Sequence, residues 1–258
     1  MSNRFFRNGA AAGLILVLGT AATAQQRPHD AAALTDTQIV ELAERAYARC
    51  DSYRDSGVVV TTFVSEDRRW TAEIPFTTAF SRPDRLRLEF KDKSLGDPPP
   101  TTIIWSTGGE VRTWRDIDPG VKTPADLEEA LAAATGVSQG ISYRVPSLLR
   151  PGAAWGGRPL DLHYSVRIGD AEDAGFGCFR IRGQRIRTPI TLGEGERAAV
   201  LRENSMTIWI DKDTYLVRKV EESNVYDTFS TEAITTYYPE IDVEIPGELL
   251  EFGTPQTD

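Results

Sequence analysis

Histidine and cysteine are nearly missing from this chain, with two of each in 258 residues. His29 falls in a polar N-terminal stretch, which leaves His163 as the one histidine in a patterned region. A zinc centre built from His and Cys ligands cannot be assembled from this inventory. A Ser-His-Asp hydrolase would present its nucleophile in a G-x-S-x-G elbow, and no such sequence occurs. Asp211-Lys212-Asp213 opens like a calcium loop, but the Asn, Gly and distant Glu of such a loop do not follow, so it reads as a tight turn. Glu221 and Glu222 are neighbours on a strand and point to opposite faces, which excludes a cooperating carboxylate pair. No catalytic residue, metal or cofactor is therefore expected, and the chain is read as a non-enzyme.

Long apolar runs and positive charge are also scarce. The longest apolar stretch, Ala10 to Gly19, is shorter than the ~20 residues needed to span a bilayer. It follows Arg4 and Arg7 and precedes Ala22-Thr23-Ala24, so residues 1–24 have the charged head, apolar middle and small-x-small end of a secretory signal peptide. No cysteine stands near the cleavage position, so a lipid anchor is not expected. The mature chain is read as a periplasmic protein of a Gram-negative cell, with no stable membrane insertion. Losing two arginines with the leader moves the net charge from -9 to about -11. That balance repels phosphate backbones, so a nucleic-acid partner is excluded. Arg180, Arg182, Arg185 and Arg187 form a basic cluster, read as a solvated outer face. In an oxidising compartment Cys50 and Cys178 predict one disulfide closing a long loop, the alternative being two buried thiols that never meet.

What is present is β pattern framed by helices. Residues 25–34 read as a flexible lead-in, and 35–255 as a single domain. Thr35-Asp36-Thr37-Gln38 is a capping box, and Ile39, Leu42, Ala43, Ala46, Tyr47 and Cys50 recur on one face of the helix it opens. Strands are predicted from Val58 to Val64 and from Trp70 to Phe80, the latter carrying Pro75, which suggests an edge or a bulge. Leu86, Leu88 and Phe90 alternate with Arg85, Arg87 and Glu89. Thr101 to Trp105 and Glu110 to Trp114 flank a hairpin turn. Thr123-Pro124-Ala125-Asp126 is the expected start of a second helix with the stripe Leu127, Ala130, Leu131 and Ala134, stopped by Gly136. A short helical turn is expected from Pro146 to Leu149. Strands return over Leu160 to Ile168, Cys178 to Arg182, Met206 to Asp211, Tyr215 to Val220 and Asp227 to Tyr238. Roughly ten or eleven strands in one antiparallel sheet must curl, and amphipathic helices then lid its concave face. The fold class is mainly β (α+β), an incomplete barrel whose inward faces can line a cavity. The candidate lining residues are Leu42, Tyr47, Leu86, Leu88, Phe90, Trp105, Leu127, Leu131, Ile208 and Ile210.

In order and spacing these motifs resemble the lipoprotein carriers of the LolA and LolB type. Arg82-Pro83-Asp84-Arg85-Leu86-Arg87 looks like the family's strand entry, and Ile104 to Val111 like its strand-turn-strand. Trp209 to Val220 is similar to its W-[IV]-D-x-x-T-x-L hairpin. The end, from Tyr238-Pro239 to Phe252-Gly253-Thr254-Pro255, resembles its closing strand and tail. The resemblance implies an open barrel over a hydrophobic cavity that takes acyl chains. It implies as partner a lipid or an acylated lipoprotein, with inner- or outer-membrane proteins as delivery partners. Arg82 would then hold the helical lid closed. The alternative is a sensor or scaffold of the same fold that recognises a protein partner in envelope homeostasis.

Overall fold

A computed structural model describes residues 34–153, 158–185 and 199–253. The expected leader, the lead-in up to residue 33, Trp155, Arg187 and Thr254-Pro255 lie outside the described residues.

The described residues open with helix α1, Asp36–Arg49. Its capping box forms as expected: the Thr35 amide donates to the Gln38 side chain (2.9 Å) and the Gln38 amide to the Thr35 hydroxyl (3.2 Å). A first meander follows, β1 (Ser52–Ser65), β2 (Arg69–Ser81), β3 (Arg85–Lys91), β4 (Thr101–Thr107), β5 (Val111–Arg115) and β6 (Asp118–Lys122). Helices α2 (Leu127–Ala134) and α3 (Ile141–Leu149) connect it to a second meander. That meander comprises β7 (His163–Asp173), β8 (Phe176–Gln184), β9 (Leu201–Asp211), β10 (Val217–Tyr226) and β11 (Phe229–Tyr237). The two meanders join where β1 pairs antiparallel with β11, which gives the order β6-β5-β4-β3-β2-β1-β11-β10-β9-β8-β7. The two-residue β12 (Glu240–Ile241) pairs with the start of β1. The sheet does not close into a barrel.

Strand alternation decides what faces the helices. Leu86, Leu88 and Phe90 of β3 pair through β2 with Phe80, Thr78 and Phe76, and these pair in turn with Tyr53, Asp55 and Gly57 of β1. All lie on one side of the sheet. Gly57 is required there: a Cβ would stand 2.3 Å from the Thr236 carbonyl and 2.4 Å from the Phe76 ring. Across the β1–β11 seam the same side continues through Val220, Ile208 and Ile181. With Ile39, Ala43 and Tyr47 of α1, Leu127 and Leu131 of α2 and Val145 and Leu148 of α3, these residues form the core. Helix α3 packs between α1 and α2, and all nine of its residues are buried.

Two expected boundaries move and one strand is new. α2 begins at Leu127, because Asp126 accepts the Glu129 amide (2.8 Å) and takes the capping place assigned to Thr123. The expected turn at Pro146–Leu149 is the second half of α3, which Gly140 opens at φ 88°. β6 was not expected, since every residue in it is exposed and no apolar alternation marks it. Pro75 pairs with Val58 of β1 on one side, while pairing with β3 begins only at Phe76. On that side Pro75, which has no N–H, makes no ladder bond, and contact resumes where the Lys93 amide donates to the Glu73 carbonyl (3.0 Å).

Candidate ligand-binding site

Arg82, just after β2, fastens the C-terminal end of α1 to the sheet, where the Tyr47 hydroxyl also accepts the Val217 amide of β10 (3.1 Å). Its Nε donates to the Cys50 carbonyl (3.0 Å), and one terminal nitrogen donates to the carbonyls of Tyr47 (3.0 Å) and Ala48 (2.8 Å). Those are carbonyls that the end of a helix leaves without partners, at the negative pole of its dipole. The guanidinium also lies over the Phe80 ring at 5.0 Å. The side of α1 held down in this way is centred on Ile39, Ala43 and Tyr47, each fully buried.

Of the candidate lining residues, Tyr47, Leu86, Leu88, Phe90, Leu127, Leu131, Ile208 and Ile210 meet in one cluster beneath the helices. They pack against one another there. Two others lie elsewhere. Leu42 is half-buried and outside the core, about a hundred degrees around the helix from Ala43. Trp105 stands on the opposite, convex face, paired with Arg87, because its neighbour Ile104 takes the inward position beside Leu88. Its indole N–H donates to the Leu250 carbonyl (2.6 Å), and its ring contacts Phe252 at 5.5 Å. The C-terminal turn Gly247–Leu250 therefore covers this face, and Arg87 ties down the Glu251 carbonyl (2.9 Å).

The expected disulfide is absent: both cysteines are free and buried. Cys50 belongs to the core beside Arg82, and its thiol donates to the Tyr47 carbonyl (3.2 Å). Cys178 alternates with the core residues Phe179 and Ile181 and so faces the convex side, among Asp211, Asp173, Arg218 and Lys219. The two thiols point into different surroundings. Burial pushes the Cys178 thiol up to about 11 and raises that of Cys50 as well.

A polar group inside the core was missed at the sequence level. Arg144 of α3 is 3 % exposed and forms an ion pair with Glu222 of β10, while donating to the Thr235 hydroxyl of β11 (3.1 Å). Glu222 is the inward member of the Glu221-Glu222 pair. The available signal was an arginine inside an apolar helix opposite an inward glutamate. Beside this group the Asp55 carboxyl is pushed up to about 6 by burial, although the Tyr53 hydroxyl donates to it (2.7 Å). Its second oxygen has no partner among the described residues.

Asp211 acts as a turn residue: its Oδ1 accepts the amides of Asp213 (2.9 Å) and Thr214 (3.0 Å). His163 is exposed at the head of β7. Arg180 lies over the Trp209 ring (5.1 Å) and Arg182 is exposed, both on the outer face, while Arg185 covers the Tyr143 ring (4.8 Å).

A cleft of about 700 Å³ opens between α1 and α3. Glu41, Glu44, Arg45 and Ala48 of α1 form one wall, and Ser147 and Leu148 of α3 the other. Pro151, Arg158 and Pro159 complete the described lining. Arg158 and Glu44 form an ion pair across it, with Nε to Oε1 at 2.9 Å. The charged groups belong to exposed or half-buried residues, whereas Ser147, Leu148 and Pro159 are buried.

No protein-family model and no curated protein matches the chain. Among solved structures, the chain is similar to LprF from Mycobacterium bovis, with 14% identity over 81% of this chain and 93% of that one, at a TM-score of 0.41. It is similar to the MucA/MucB complex of Pseudomonas aeruginosa, with 9% identity over 83% of this chain and 60% of that one, at 0.42. It is likewise similar to a LolA superfamily protein from Nitrosomonas europaea, with 11% identity over 85% of this chain and 99% of that one, at 0.34.

Proposed function

We propose that this chain is a non-enzymatic, exported binding protein that holds an acyl chain or another water-insoluble amphiphile, with residues 1–24 directing it to the periplasm. The observation that supports this reading is the cleft between α1 and α3. Its volume falls in the range of small-molecule sites, roughly 300–1,000 Å³. Its walls offer Ala48, Leu148, Pro151 and Pro159 to an apolar chain, and its charged groups offer a polar head somewhere to rest. Each Å² of apolar guest surface removed from water contributes about 25 cal/mol. Leu86, Leu88, Ile208 and their neighbours fill the space beneath the helices, so a guest larger than the cleft requires α1 and α3 to part. Such a motion must release the Glu44–Arg158 ion pair that spans the cleft and loosen the hold of Arg82 on the end of α1.

The test is native mass spectrometry and lipid extraction on protein purified from the periplasm, followed by titration with a fluorescent fatty acid. Co-purified lipid or saturable binding is the expected result. Recovery of no lipid together with no fatty-acid binding overturns the proposal. Capture of one protein partner by a lipid-free form would instead favour a sensor or scaffold role.

A further inference from the structure

The same cleft carries information about the head of its guest, an inference that rests on the binding role proposed above. Its charged groups are unevenly satisfied. Glu44 is paired with Arg158, and Asp161 and Glu41 also face that arginine and reinforce its positive form. The acids of this wall are thus drawn to one cation. Arg45 is different. Its Nε donates to the Glu41 main-chain carbonyl one turn back (3.1 Å), which holds the guanidinium along the wall of the cleft. Among the described residues no carboxylate pairs with it, so its terminal nitrogens have no acidic partner.

An independent observation comes from the opposite wall. Ser147 of α3 is 1 % exposed and lines the cleft, yet its hydroxyl has no hydrogen-bond partner among the described residues. A buried hydroxyl without a partner costs about 1–3 kcal/mol, and a serine within a helix commonly avoids this by bonding the carbonyl four residues back. Ser147 does neither. The lining of the cleft therefore includes two sets of unused donors, the Arg45 guanidinium and the buried Ser147 hydroxyl, beside apolar side chains.

We propose that the cleft selects a single-chain amphiphile whose head is an acceptor-only anion, a carboxylate or a phosphate, bound by Arg45 and Ser147 while its chain lies along Leu148, Pro151 and Pro159. A carboxylate or phosphate matches a guanidinium because its oxygens accept two N–H bonds at once. An uncharged ester can accept bonds but leaves the charge of Arg45 unanswered.

The test uses the purified full-length protein, stripped of lipid, and displacement of a fluorescent fatty-acid probe. Three competitors carry the same chain: hexadecanoate, hexadecyl phosphate and methyl hexadecanoate, each below its aggregation concentration. At least one anion is expected to bind about three- to fivefold tighter than the ester, the upper part of the range of an exposed ion pair, and the stronger of the two names the head. Arg45→Ala should abolish that preference, so that the anions bind no tighter than the ester in the same variant. Ser147→Ala should weaken the preferred anion about threefold without lowering the urea midpoint. Equal binding of all three competitors, or a preference that survives Arg45→Ala, overturns the head assignment and leaves the carrier reading standing. Binding of none of them overturns both.

Discussion

The buried pair Arg144–Glu222 allows a prediction in which the sign is as informative as the size. Their side chains are 4 % and 8 % exposed, so both charges have left water. Glu222→Leu would leave Arg144 with one neutral acceptor, the Thr235 hydroxyl, and an Nε that already has no partner among the described residues. Breaking a buried pair from one side costs about 3–5 kcal/mol, because the remaining charge stays buried and uncompensated. For a domain of this size that corresponds to a loss of roughly 6–20 °C in Tm. Arg144→Met should cost a similar amount. The double variant should recover most of the loss, since replacing both charges with apolar side chains also removes two desolvation penalties. Urea unfolding followed by tryptophan fluorescence is the assay, with the midpoint and slope fitted for all four proteins. If each single variant lost under about 1 kcal/mol, or if the two losses simply added, the pair would not be buried and coupled as described.

Three further outcomes are expected. Arg82→Ala removes three hydrogen bonds to the end of α1 and should cost about 2–3 kcal/mol, with amide exchange accelerated over residues 43–50; unchanged exchange there would show that α1 is held by its apolar face alone. The folded Asp55 carboxyl sits at about 6, above its unfolded value, so its contribution is fully present below about pH 4 and is lost as pH rises through 6. The gap corresponds to roughly 3 kcal/mol, and the wild-type stability minus that of Asp55→Asn should fall over this window; a flat difference would remove the argument. Both cysteines should be alkylated without reductant once the protein is denatured and should react slowly while it is folded, so finding a single disulfide by mass spectrometry would contradict the two separate thiol environments.

Much of this was legible before folding, where local rules suffice. Thr35 and Gln38 lie three residues apart, and the box they form involves only each other and the adjacent backbone. Leu86, Leu88 and Phe90 alternate with charges, so one face of β3 had to be internal. In α2 the stripe was right although the cap was displaced, since Asp126 and Thr123 are both competent caps and only packing chooses between them. The polar interior was not legible. Arg144 lies in a helix that is buried all round, where no amphipathic pattern singles out one residue. Glu222 could be assigned to a face but not to a partner 78 residues away.

By itself the sequence determined the periods, and with them the amphipathic α1, the alternating strands and the single curled sheet. These follow from side-chain spacing along one element. The tertiary structure decided which face of each strand became the core wherever both faces are apolar. β4 is the clearest example: residues 101–106 are all buried, because helices cover one side and the C-terminal turn covers the other. Trp105 and Ile104 were equivalent in the pattern and went to opposite layers. Cys178 was likewise sent to the convex face by strand parity, whereas Cys50, the C-cap of α1, lies in the core. The cleft between α1 and α3 also belongs to the tertiary level, since two helices separated by the whole first meander form its walls. Contacts of that kind depend on how the chain closes, and no spacing along a single element encodes them.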